Sequence, residues 1–114
     1  MMPDLIKIET PANPKYLPAM RLLIGGLCAA KNTDLETIED IKMAVGECAN
    51  VFYKARDKVH MEFEMGEEIR INFLGVSKDE LDAEDSEMEK LIVMSLIDEI
   101  KQEENKVVLI KEIK

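Results

Sequence analysis

Apolar and polar positions change period several times along this chain. Leu5 to Thr10 alternates in the two-residue rhythm of a strand, and Pro11 and Pro14 end it. Asn13-Pro14 predicts a helical turn, with Pro18 also suited to a first turn. Leu17, Met20, Leu23, Ile24, Leu27 and Ala30 then recur at helical spacing. Asn32-Thr33-Asp34 breaks that helix, and Thr33 with Glu36 predicts a capping box for the next. Leu35, Ile38, Ile41, Val45, Cys48, Phe52 and Ala55 mark one face of this second helix, expected to run to about Arg56. From Lys58 the period drops to two. Val59, Met61, Phe63 and Met65 alternate with polar residues, Gly66-Glu67 turns the chain, and Ile69, Ile71 and Phe73 continue as the second arm of a hairpin. Gly75 to Asp85 reads as a polar loop. Ser86 and Glu89 predict a cap for a third helix facing inward through Met88, Leu91, Ile92, Ser95, Leu96 and Ile100, and Val107 to Ile113 is the last strand.

The order β-α-α-β-β-α-β, with half-polar strands and one-stripe helices, predicts two layers. The expected fold is an α/β two-layer sandwich, with about four strands in a mixed sheet and three helices on one face. The 114 residues predict a single domain over 1–114, and 46% hydrophobic residues support its core.

Charge narrows the function. Fifteen basic against 24 acidic residues leave a net charge of −9, which opposes direct binding to DNA or RNA. The longest apolar runs fall short of a membrane span, and no basic segment followed by an apolar run opens the chain. Cys28 and Cys48 sit among apolar helical residues without zinc spacing, so two buried, reduced thiols and a cytoplasmic location are expected. His60 falls on the outward phase of its strand, where a solvated side chain is expected. Asp79 to Glu89 holds seven acidic residues and no ordered calcium-loop spacing, so no metal site is predicted there. Most of the eight methionines fall at core phases.

The stretch Asp40-Ile-Lys-Met-Ala-Val-Gly-Glu-Cys-Ala-Asn50 carries the candidate chemistry. Glu47 and Asn50, three residues apart, are neighbours on a helix surface, where a carboxylate can activate a hydroxyl and a carboxamide can hold a metal. Together with Ile8 to Tyr16, Arg21-Leu22, the closing Leu91-Ile-Val-Met-Ser-Leu-Ile-Asp-Glu-Ile100 and the final strand, this stretch resembles the anti-sigma factor serine kinases of the GHKL (histidine kinase-like) ATPase superfamily. The resemblance implies the GHKL two-layer fold. It also implies that Glu47 stands where the family has a general base acting on a partner's serine hydroxyl. The family's metal-binding Asn comes four residues after that Glu. Here Val51 holds that place and Asn50, a weak candidate for cofactor binding, comes one residue early.

Other family boxes are altered. Aligned on Gly75, Phe73 stands where the family has the Asp that accepts the adenine amino group, and Ser77 replaces the second Gly. Glu87-Met88-Glu89 replaces the Gly-x-Gly that lets backbone approach the phosphates. The lid between these boxes is shortened to roughly ten residues. The resemblance therefore implies an anti-sigma-like regulator that binds a sigma factor or an anti-anti-sigma protein, forms a possible homodimer, and has a degenerate ATP site with Glu47 as a vestigial base and no cofactor expected. The alternatives are an active serine protein kinase using ATP and Mg, and a structural or dimerisation domain.

Overall fold

A computed structural model describes residues 2–113. Five strands form one antiparallel sheet in the order β1-β2-β3-β5-β4. They are β1 (Asp4–Pro11), β2 (Lys58–Met65), β3 (Glu68–Leu74), β4 (Glu99–Glu103) and β5 (Lys106–Glu112). The helices are α1 (Leu17–Ala29), α2 (Leu35–Tyr53), α3 (Lys78–Asp82) and α4 (Glu87–Leu96), with single 3-10 turns at Pro14–Tyr16 and Glu84–Ser86. The α/β class and the layer of helices over a sheet are as expected.

The strand and helix counts are not. The sheet has five strands rather than four, every pairing is antiparallel rather than mixed, and four helices are present rather than three. The extra strand arises because α4 stops at Leu96. Ile97 is extended at φ −119°, ψ 161°, and Ile100, at a helical phase in the sequence, falls instead on β4. Glu104, at φ +45°, turns β4 back into β5. The extra helix lies in the expected Gly75–Asp85 loop. Its Ser77 hydroxyl accepts from Asp79 N–H at 3.1 Å, and the Glu80 carboxylate accepts from Ser77 N–H at 3.0 Å, a reciprocal cap.

The other caps shift by small steps. Asp34, not Thr33, caps α2, accepting from Thr37 N–H at 2.8 Å. Ser86 does precede α4, but its buried hydroxyl makes no cap bond; it accepts instead from Lys54 Nζ at 3.4 Å.

Alternation in β2 and β3 and the inner stripes of α1, α2 and α4 meet in one core, with Phe52, Phe63, Phe73, Ile41, Ile69 and Ile71 wholly buried. Three helical phases differ from expectation. On α1 the expected Leu23 and Ala30 are exposed, and the buried stripe runs through Leu17, Met20, Ile24 and Cys28. Leu35 and Ala55 of the expected α2 face are exposed. On α4 the buried phase runs through Val93 with half-buried Ile92 and Leu96, which turns Met88 and Leu91 outward. The methionines split accordingly: Met20, Met61 and Met65 are core, whereas Met2, Met43, Met88 and Met94 are exposed. The sheet's other face is charged. Arg70 at its centre reaches Glu103 at 3.1 Å and Glu64 at 3.6 Å, and Glu64 accepts from the Asn72 amide at 2.8 Å.

Candidate functional site

Helix α2 carries Asp40, Met43, Glu47, Asn50 and Lys54 at alternating steps of three and four residues, which places them along one stripe. Both ends of this stripe are tied to α4. Lys111 of β5 pairs with Asp40 at 3.5 Å and donates to the Leu96 carbonyl at 2.7 Å. At the other end Lys54 reaches the Asp85 carbonyl and the Ser86 hydroxyl, each at 3.4 Å, and the Asp85 carboxylate at 3.8 Å. The two helices therefore lie antiparallel and in contact, with Glu47 and Asn50 midway along the seam.

Sequence reasoning thus brought Glu47 and Asn50 to one stripe, and the structure keeps them there, both half-exposed. Among the described residues neither forms a hydrogen bond or an ion pair. Val51, in the place of the family's Asn, is buried in the core. The guanidinium of Arg21 covers Gly46, with Nη2 at 3.5 Å from where a Cβ would stand, so α1 passes close beside Glu47.

The altered boxes have structural roles. Phe73 lies wholly inside the core, with its ring centroid 5.1 Å from that of Phe52 and the planes tilted by 55°. Gly75, at φ +70°, ends β3 and donates to the Asn105 carbonyl at 2.7 Å. Ser77 starts α3. Arg56, just beyond α2, grips Glu80 of α3 through two bonds at 2.8 and 2.9 Å and also donates to the Phe52 carbonyl. Burial opposes ionisation of Glu80, but the Arg56 guanidinium and Ser77 N–H outweigh it and hold its carboxyl below the usual range. The segment from Gly75 to Ser86, where the family's lid falls, is thereby fastened to the end of α2 at two points. Glu87 and Glu89 occupy the first turn of α4 and complement the helix dipole there.

Three clefts on the described surface have neither Glu47 nor Asn50 in their walls. One of about 950 Å³ lies at the β2–β3 turn, one of about 570 Å³ beside Gly75 and Ser77, and one of about 230 Å³ between α3, α4 and β4.

The remaining candidates resolve simply. His60 is exposed on β2. Both cysteines are buried and free. Burial pushes the thiols of Cys28 and Cys48 upward; Lys42 partly offsets this at Cys28, and Glu47 adds to it at Cys48. Part of the acidic run is spent on structure: Glu80 pairs with Arg56, and Asp82 with Lys90 at 2.6 Å. Among the described residues no three His, Cys, Asp or Glu side chains cluster as a metal site. Nor is any helix among them long and apolar enough to cross a membrane. Sequence reasoning missed Arg56, Lys54 and Glu80 as the ties across this region. The Ser77-x-x-Glu80 spacing was the signal for the last of them.

No family model matches the chain. Curated proteins do. A serine-protein kinase RsbW of Bacillus pumilus is 40% identical over 58 residues, covering 47% of this chain and 36% of the relative. The RsbW of Bacillus subtilis is 35% identical over 80 residues, covering 69% and 46%. That of Oceanobacillus iheyensis is 33% identical over 79 residues, covering 69% and 47%. This chain is related to the RsbW serine-protein kinases. The relationship agrees with the resemblance seen at Asp40–Asn50. The matched stretches span a third to a half of the length of these RsbW relatives, 36% in one and 47% in another.

Proposed function

We propose that this chain is an anti-sigma-factor-like regulator that acts by binding a protein partner and that its nucleotide site is degenerate. The observation that carries this reading is the placement of Phe73. In the aligned position the family presents a carboxylate to adenine, whereas here an aromatic ring packs on Phe52 inside the core. Two further features support it. The lid segment is fastened by Arg56–Glu80 and Lys54–Ser86, and Glu87 and Glu89 stand where phosphates would need bare backbone. An unaccepted adenine edge costs ~1–3 kcal/mol, and repulsion between carboxylates and phosphate adds to that.

The partner classes are those the resemblance implies, a sigma factor or an anti-anti-sigma protein. Calorimetry with Mg-ATP and Mg-ADP tests the nucleotide half of the proposal. No heat of binding is expected, and a low-micromolar dissociation constant would overturn it. One observation favours a second reading, an active serine kinase: Glu47 and Asn50 share a stripe and remain half-exposed, as a base and a metal ligand would. Phosphate transfer from ATP to an anti-anti-sigma protein, lost in Glu47→Gln, would establish that alternative.

A further inference from the structure

The outward turn of α4 leaves an apolar strip on the helical layer. Met88 is 70% exposed, Leu91 57% and Met94 55%, at steps of three that drift around the helix, so that Met94 stands at the far edge and lines the cleft between α3, α4 and β4. Met43, 52% exposed, lies on the α2 stripe that borders α4. Single exposed apolar residues need no explanation, but Met43, Met88 and Leu91 on two adjoining helices form a patch of the kind that marks interaction sites. Two are methionines, whose unbranched thioethers adapt to a partner's shape.

The rim of this patch is acidic. Glu47 borders it on α2, Glu87 and Glu89 at the start of α4, and Glu36 and Glu39 toward the start of α2. The nearby lysines are engaged within the protein, and the one guanidinium beside the stripe, that of Arg21, lies over Gly46 on the α1 side. Lys42 pairs with Glu39 at 3.3 Å, Lys90 with Asp82 at 2.6 Å, and Lys111 with Asp40. Among the described residues Glu36, Glu47, Glu87 and Glu89 have no ion-pair partner. The whole chain adds a field of net −9, which disfavours a second copy of itself as the occupant and steers a cation-rich one.

The geometry points to a basic amphipathic helix of a partner protein as the occupant, lying along the α2–α4 seam. Its apolar face would cover Met43, Met88 and Leu91, and its flanking lysines or arginines would meet Glu47, Glu87 and Glu89. Two antiparallel helices in contact offer the groove that a third helix fills by ridge-into-groove packing. This deepens the partner-binding reading proposed above and rests on it. It also gives Glu47 a role that needs no nucleotide.

Methionine-methyl NMR on the intact chain tests the assignment without knowledge of the natural partner. The probe is a synthetic leucine–lysine amphipathic helix of about 18 residues, roughly 27 Å long. Its controls are the same composition scrambled and a leucine–glutamate counterpart. The Met43 and Met88 methyls should shift on addition of the lysine helix while core Met61 and Met65 stay fixed, and the controls should shift none. Leu91→Glu and, separately, Glu47→Lys with Glu87→Lys should each weaken the interaction about tenfold or more. Equal shifts with the scrambled peptide, shifts confined to other residues, or shifts that follow protein concentration alone, as a second copy would produce, would each overturn the proposal. The nucleotide half of the functional reading is decided separately by calorimetry, so failure of one leaves the other standing.

Discussion

Replacing Phe73 separates a core residue from a vestige of a nucleotide pocket. Its ring is wholly buried and packs on Phe52, near the end of the central strand β3 and opposite Met61 on β2 and Val107 on β5. Truncation to Ala removes that ring from a site held by strands on both sides, which cannot collapse easily. The cost is ~3–5 kcal/mol. A chain of this length has total stability of ~6–17 kcal/mol, so the variant should still fold. Its melting temperature should fall by roughly 10–25 °C, read by far-ultraviolet circular dichroism. Phe73→Leu keeps most of the apolar volume and should lose much less. Phe73→Asp would restore the family's residue type, but it would add the burial of a carboxylate, several kcal/mol more, to the lost ring. It should leave the protein largely unfolded, with no gain in ATP binding. A folded Phe73→Asp variant, or one that binds Mg-ATP, would refute the placement of this ring in the core and reopen the nucleotide site.

Three further outcomes follow from the ties and caps. Glu47→Gln should leave thermal stability nearly unchanged and, by neutralising one of several carboxylates at the proposed docking surface, weaken partner binding only modestly, whereas a working kinase would lose ~10²–10⁴-fold in phosphorylation rate when assayed with its substrate. Asp34→Ala should cost ~1 kcal/mol by loss of the α2 cap, whereas Thr33→Val should be neutral or mildly stabilising in the same denaturant titration, because the buried Thr33 hydroxyl has no hydrogen-bond partner among the described residues. Glu80 is held below its ordinary pKa in the folded protein, so its contribution is present above the unfolded carboxylate value and is lost as pH falls through the depressed folded value; Glu80→Gln should therefore lower stability near neutral pH and flatten its decline in acid, as followed by melting temperature against pH.

The hairpin β2–β3 was legible because its alternation is strict and Gly66 marks the turn. Helix α2 was legible because its apolar stripe persists for five turns. Strand β4 was hidden. Glu99-Ile-Lys-Gln-Glu103 has a single apolar residue, at a phase that continues α4, and only pairing with β5 makes it a strand. Helix α3 was hidden in an acidic run too short and polar to show a period. Phe52 and Tyr53 are consecutive and, by helical spacing, point about 100° apart, so the stripe alone does not make both of them core residues. Both are buried instead, because the last turn of α2 is enclosed by β3 on one side and by Thr10 of β1 near the Tyr53 phenol. The phase of α4 decided the candidate surface. Ten residues allow two neighbouring apolar stripes, and contact with α2 selected the one through Val93. At the candidate site, the shared stripe of Glu47 and Asn50 follows from helical spacing alone. The fastening of the lid segment by Arg56 and Lys54 depends on partners 24 to 32 residues away and could not be read locally.

The position of β5 has a consequence for how the chain assembles. The sheet contains two hairpins, β2–β3 and β4–β5, each closed by a turn of a few residues, and a single ladder from Glu68–Glu112 to Leu74–Lys106 joins them. Each hairpin can form locally, but that joining ladder must close the intervening loop with α3 and α4 before its bonds offset the lost chain entropy. The β1–β2 ladder, from Asp4–Met65 to Pro11–Lys58, spans a longer stretch still. The two long-range ladders, rather than the hairpins, should therefore limit the folding rate, and while β3 and β5 are unpaired each presents an open strand edge, the state most exposed to aggregation.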